Sequence, residues 1–311
     1  MPRMMCVAGL LAAAAVASGA SKREVAITLD DLPVAQSGTR GCEFGSLQMQ
    51  TLRLITLFLH QKAPLAGFVA PGTCPELAPE EMRAVLKLWV QAGTELGNET
   101  FSGADLNTTD PAKYEQEILQ ADEALRALPG GAPRYFRYPL LHTGATAQTR
   151  ERIARFLSAH GYTIAPVTLD NLDWMFSEVY SDALSHGKME AMAHVRDDYL
   201  PYMESVIDFC EQRTMEVLGR EIPQILLLHA NRLNADMGAD VLAALKKRGY
   251  HFIALGEALQ DPAYQQPEKY VGPEGLSWIQ RWSLTKGMPD KAEPKAPTWL
   301  EHEYERIRKG E

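Results

Sequence analysis

Val25-Ala26-Ile27-Thr28-Leu29-Asp30-Asp31 is the stretch on which the fold turns: five residues that favour an extended chain run straight into two carboxylates. The run is apolar on both of its faces, the pattern of a strand covered from both sides, as strands of a parallel sheet are. Outward from it, apolar residues at helical spacing fill 47–60, and a second strand follows at 65–69, ended by Pro71-Gly72. The alternation continues with a helix at 80–91 stopped by Gly93, a short strand opening at Glu95-Leu96, and an amphipathic helix at 111–128 with Pro111 in its first turn. Strands at 135–137 and 162–167 flank a helix at 146–160. A long helical stretch at 174–218 precedes a strand at 224–228, a helix at 238–248 and a last strand at 250–255.

Strand and helix alternating in this way require a parallel sheet with crossovers, and seven such units over roughly 240 residues favour a closed barrel over an open sheet. The division expected is a leader at 1–20, a barrel at 21–260 with a helical insertion at about 175–220, and a C-terminal extension at 261–311. The extension is rich in Pro, Gly and charge and shows no period, so it is expected to wrap the outside or to be partly disordered. Trp278 and the Arg281-Trp282 pair read as anchors for it in preference to sugar-stacking surfaces.

The leader is read from Arg3, the apolar run 7–16 and the small residues Ala17 to Ala20, the three parts a signal peptidase uses. That makes the mature protein periplasmic or extracellular. No other apolar run approaches the ~20 residues of a membrane span. A formal net charge of -9 over 311 residues argues against a nucleic-acid partner, which would need a clustered basic face. In an oxidising compartment Cys42 and Cys74 are placed to join two loops, each just past a strand region, or else to remain inert thiols.

Ligands of parallel barrels bind where strands end, which directs attention to the polar residues there. Strand one ends in Asp30-Asp31, strand three in Gly97-Asn98-Glu99, strand four in Arg137-Tyr138-Pro139; strand five leads to Asp170 and Asp173-Trp174, and strand six ends in His229. Singly these are weak signals, since a turn or helix cap uses Asp as readily. Together in one alternating frame they mark a hydrolase-type site.

In this order the segments Thr28–Asp31, Leu96–Gly103, Phe136–Pro139, Asp170–Trp174 and Leu227–His229 resemble the five motifs of the polysaccharide deacetylases of the NodB-homology type, carbohydrate esterase family 4. The resemblance covers about 200 residues. It implies an α/β fold, a distorted (β/α)7 barrel, acting on N- or O-acetyl groups of an acetylated polysaccharide or oligosaccharide with a divalent metal, zinc or similar. Carried over by position, it makes Asp30 the general base and Asp31 a metal ligand. His229 becomes the general acid, with a carboxylate of the Asp170/Asp173 segment on its other nitrogen, Arg137 orients Asp30, and Trp174 and Leu227 line the acetyl pocket. Tyr138, Pro139 and His142 fall on the substrate side.

The second motif departs from the family, in which two histidines four residues apart bind the metal; here those positions hold Glu99 and Gly103. Asp31 and Glu99 leave two hard oxygen ligands, a weak basis for tight zinc binding. Three readings stay open. The site rebuilds a metal seat from Asp31, Glu99 and a substitute such as His142; the protein is a catalytically inactive relative that binds glycans; or Asp30, Asp31 and Glu99 work as acids and bases without metal, as paired carboxyls do in glycosidases.

Overall fold

Strand β1, Arg23–Leu32, is the axis of the molecule. In the computed structural model, which describes residues 22–35 and 41–310, Val25 through Asp30 are each at most 2% exposed. The expected leader at 1–20 lies outside the described residues. Around β1 stand β2 (Leu65–Val69), β3 (Glu95–Asn98), β4 (Tyr135–Phe136), β5 (Thr163–Ile164), β6 (Gln224–His229) and β7 (Tyr250–Ile253), all parallel, in the order β5-β4-β3-β2-β1-β6, with β7 on β1. Val25 and Ala26 pair with β6 on one edge and β7 on the other. Past β5 the chain crosses to β6, where Leu169 bridges Leu226 and closes the curl. The chain thus forms the expected seven-stranded α/β barrel, distorted because β4 and β5 are only two residues each.

Helices α1 (Phe44–Gln61), α2 (Pro79–Gln91), α3 (Pro111–Arg126), α4 (Ala147–Ala159), α5 (Asp173–Ser185), α6 (Met189–Leu218), α7 (Arg232–Lys247) and α8 (Leu255–Ala258) fill the connections. Their sequences show why. In α3, Tyr114, Ile118, Ala121 and Leu125 recur at three- and four-residue spacing and are all buried, while the Asp110 side chain accepts from the Ala112 and Lys113 N–H groups at the helix start. Helix α7 begins six residues earlier than its apolar period suggests, because Asn231 caps it through the Asn234 N–H.

The extension is more ordered than its composition indicates. It carries α9 (Trp278–Thr285) and α10 (Thr298–Arg308), and α9 buries Trp278, Ile279, Arg281 and Trp282. Trp278 N–H donates to Val167 O on the barrel at 2.6 Å, so these aromatics do anchor the segment. The aperiodic look arises from buried polar residues such as Gln280 and Ser283, which disguise a helix covered on nearly all sides. Cys42 and Cys74 form a disulfide with Cα atoms 5.4 Å apart, joining the segments that follow β1 and β2. Among the described residues no helix is long and apolar enough to cross a membrane.

Candidate active site

The sheet register builds the site. Because β1 and β6 run parallel and in step, Asp30 lies opposite His229 at the paired ends of the two strands. Arg137 N–H bonds to Asn98 O at 2.9 Å and Glu99 N–H to Val69 O at 3.1 Å, so the residues just past β3 and β4 reach the same rim. They open on a cleft of about 620 Å3 lined by Asp30, Asp31, Glu99, Gly103, Pro139, His142, Asp170, Trp174, Leu227 and His229, among others. The cleft gathers most of the residues singled out from the sequence; Arg137 and Asp173 stand behind its wall, against Asp30 and His229.

On one side sit an acid and a base, each with dedicated partners. Arg137 is wholly buried, donates from Nη2 to Thr28 Oγ1 at 2.8 Å and lies over the Phe68 ring at 4.5 Å. Its Nε is 3.2 Å from Asp30 Oδ2, an ion pair without an aligned hydrogen bond. Asp30 Oδ1 is buried with no hydrogen-bond partner among the described residues, a free lone-pair oxygen in the cleft wall. Burial raises the Asp30 pKa, Arg137 and His229 pull it back, and it comes to about 6.

Across from it, His229 Nδ1 is 2.6 Å from Asp173 Oδ1, while His229 N–H donates to Asp173 Oδ2 at 2.8 Å. Asn231 and Asn234 also donate to Asp173 Oδ2, and Asn234 reaches the His229 carbonyl at 2.9 Å. Asp173 is therefore a fully buried carboxylate satisfied by one imidazole, one peptide and two amides. Burial alone would raise its pKa, and the His229 charge and these donors bring it below the usual value. For His229 burial acts downward, but the charge and hydrogen bond of Asp173, with Asp31 and Asp30, lift it to about 10. At neutral pH these shifts leave Asp30 mostly ionised and His229 protonated across the paired strand ends.

The other side is different. Glu99, 3% exposed, accepts the Asp31 N–H on Oε2 at 2.9 Å, and burial together with the charges of Asp30 and Asp31 raises its pKa well above the ordinary value. Asp31 sits at a φ of 59°, and burial raises its pKa as well. Gly103, at a φ of +67°, has nothing within 4 Å of where a Cβ would stand. His142 lines the cleft, but its Nδ1 is 2.8 Å from Asp105 Oδ1, a partner the sequence reading did not include. Among the described residues no group of three or more His, Cys, Asp or Glu side chains is arranged to hold a metal ion. The donor set of Asp31, Glu99 and His142 does not fit a divalent ion: the three are not gathered around one point among the described residues, and Gly103 has no side chain to complete them.

Of the expected substrate-side residues, Pro139, His142, Trp174 and Leu227 line the cleft, whereas Tyr138 is buried outside it, its ring edge-on to Phe136 at 5.1 Å. Asp170 lies on the wall between this cleft and a second cavity of about 280 Å3; burial and the charge of Glu293 raise its pKa to about 8. Sequence reasoning missed Asn231 and Asn234, although an Asn three residues before another at a helix start is a readable cap signature. It also missed Gly275 and Tyr304, which line the cleft from the extension and carry no local signal.

A model of the polysaccharide deacetylase family matches residues 17–165. A chitin deacetylase of Colletotrichum lindemuthianum is 25% identical over 169 residues, 54% of this chain and 58% of that protein, so this chain spans a little over half of that relative's length. Among solved structures, a family 4 carbohydrate esterase pseudoenzyme from Bacillus anthracis matches with a TM-score of 0.51 at 17% identity, over 77% of this chain and 66% of that one. A family 4 acetyl xylan esterase from Clostridium thermocellum, in complex with a cobalt ion, matches with a TM-score of 0.50 at 19% identity, over 76% and 91%. Both structures share the fold of this chain.

Proposed function

Because the chain is a relative of the polysaccharide deacetylases, we propose that it is an exported, carbohydrate-directed hydrolase of acetyl groups whose acid–base pair is complete and whose metal seat is not. The observation that carries this reading is the pairing of Asp30 with His229 across β1 and β6. One has a buried oxygen without a partner, and the other has an imidazole held by Asp173. A protein that only holds sugars has no use for a base and an acid maintained in opposite charge states.

The chemistry follows from those states. Asp30, ionised above about pH 6, takes a proton from the water that attacks the acetyl carbonyl, and the Arg137 charge keeps the carboxylate anionic between turnovers. His229, protonated below about pH 10, gives its proton to the leaving nitrogen or oxygen as the bond to the acetyl carbon breaks. Acetate and a free amine or hydroxyl are the products. Asp173 holds the imidazole orientation and stabilises its charge. In family members a divalent ion polarises the carbonyl and acidifies the water; the side chains present here do not fit that ion, and no step is assigned to it. Turnover is accordingly slow, and a glycan-binding role without turnover is the second reading, favoured by Gly103 alone.

The test is acetate release from N-acetylated chito-oligosaccharides and acetylated xylan, by the unaltered protein and by a Glu99→His/Gly103→His variant loaded with zinc. Release by the variant that is lost on Asp30→Ala supports the reading. A variant shown to hold stoichiometric zinc that releases no acetate from any acetylated carbohydrate overturns it, and saccharide binding by that protein moves the assignment to the glycan-binding alternative.

A further inference from the structure

The C-terminal extension reaches the cleft at two places. Gly275 presses on the lip formed by Pro139–Leu141: a Cβ on it would stand 1.8 Å from Leu140 O. Leu140 and Leu141 hold φ values of 55° and 54°, unusual for branched side chains. They stay there because Arg281 donates to Leu141 O and, at 2.8 Å, to Thr143 Oγ1. The outcome is a Leu140 side chain 65% exposed at the mouth of the cleft. At the second place, α10 carries Tyr304 into the cleft wall, its ring edge-on to Trp174 at 5.3 Å. Helix α10 is fixed there by Leu300, fully buried, by Trp299, which stacks on His194 at 3.9 Å and donates to Asp198 at 2.7 Å, and by Arg306, 3.2 Å from Asp182 Oδ2.

Tyr304 therefore stands on a rigid support in the cleft wall, against Trp174. A cleft of about 620 Å3 lies within the ~300–1,000 Å3 that buries a drug-sized ligand, more than one pyranose ring occupies. The apolar C–H face of a pyranose packs on aromatic and aliphatic surfaces, and a half-exposed Tyr supplies area at low rotamer cost. From this placement we infer that Tyr304, packed against the Trp174 of the acetyl pocket, binds together with Leu140 the sugar next to the acetylated one. The extension thereby sets a preference for linked acetylated sugars over single ones. The inference rests on the carbohydrate-directed reading above and adds a specificity-determining residue from outside the motifs.

The test is calorimetric titration of the full mature protein with N-acetylglucosamine, its β-1,4 tetramer and acetylated xylotetraose, for the unaltered protein and for Tyr304→Ala, Tyr304→Leu and Tyr304→Phe. Loss of about tenfold in affinity for the bound tetramer in the Ala and Leu variants, with monosaccharide binding unchanged and the Phe variant near the original, is the expected result. The Leu variant keeps packing on Trp174 should the Ala variant not fold. Unchanged tetramer affinity, or an equal loss for tetramer and monosaccharide, overturns the role of Tyr304 while leaving the carbohydrate site intact. No binding of any of the three sugars by the unaltered protein overturns both.

Discussion

The two halves of the cleft were assembled by different means. Asp30, Arg137 and His229 sit on strand ends or beside them and Asp173 opens α5, and their partners, Thr28, Phe68, Asn231 and Asn234, belong to the strands and helices that make the core or cap them. Displacing any of them disturbs the sheet register. Asp31 lies instead at an irregularity near the end of β1, and Glu99, Gly103 and His142 follow strands on loops, with left-handed backbone at Asp31, Thr100 and Gly103 and open space where a Gly103 side chain would stand. The lesson is that the proposed acid–base residues are tied to the stability of the barrel, whereas the second-motif position at Gly103 can change while the fold persists.

The strongest way to break that contrast is repair. Glu99→His with Gly103→His should bind zinc, measured by elemental analysis, and raise acetate release on the order of 10³-fold, the several kcal/mol a Lewis-acidic ion supplies; zinc without turnover would show that the acid–base half is not sound. Next in size is Arg137→Ala, which leaves Asp30 buried without its cation and should cost about 3–5 kcal/mol in urea unfolding. Gly103→Ala should cost only about 1 kcal/mol, from its left-handed φ. Equal costs at the two positions would erase the distinction between the halves. In the repaired protein, His229→Ala should lower turnover by about 10²-fold, with zinc content unchanged.

The smallest effect is in pH. Both titrating groups have folded pKa values above their unfolded ones, so each favours the fold in its protonated form and that contribution fades as pH rises. For Asp30 the loss runs from about pH 4 to about 6, and for His229 from about 6.5 to about 10. Stability should therefore decline across the alkaline range, and His229→Gln should flatten the decline, followed as urea midpoints at stepped pH. Acetate release by the unaltered protein should rise through about pH 6 and fall through about pH 10.

How much of this could be read from the chain varies with the range of the interaction. The strand-end carboxylates, Arg137 and His229 were legible because each directly follows an apolar run, and parallel pairing turns that adjacency into proximity. The start of α7 was not, since its first turn is polar and is set by the Asn231 cap and not by apolar spacing. The Asp105–His142 pair, 37 residues apart, gives no periodic signal. Arg281 is harder still: it is a buried cation bonded mainly to backbone and hydroxyl oxygens, with Trp278 and Tyr270 rings 4.7 and 5.0 Å away. Its anchoring part is legible beside Trp278 and Trp282; its partners at Leu141 and Thr143, well over a hundred residues away, are not.

That Tyr304 walls a cleft built on β1 has a consequence for the timing of assembly. A chain enters its folding compartment from its N-terminus, and a ribosome adds about 5–20 residues per second. Every strand through Ile253 is made before Tyr304, and the intervening stretch of some fifty residues takes on the order of 3–10 s. During that interval Asp30 and Asp31 stand in an unfinished mouth, without the wall that α10 supplies. On the reading proposed above, the part of the cleft that contacts a second sugar is the last to be completed.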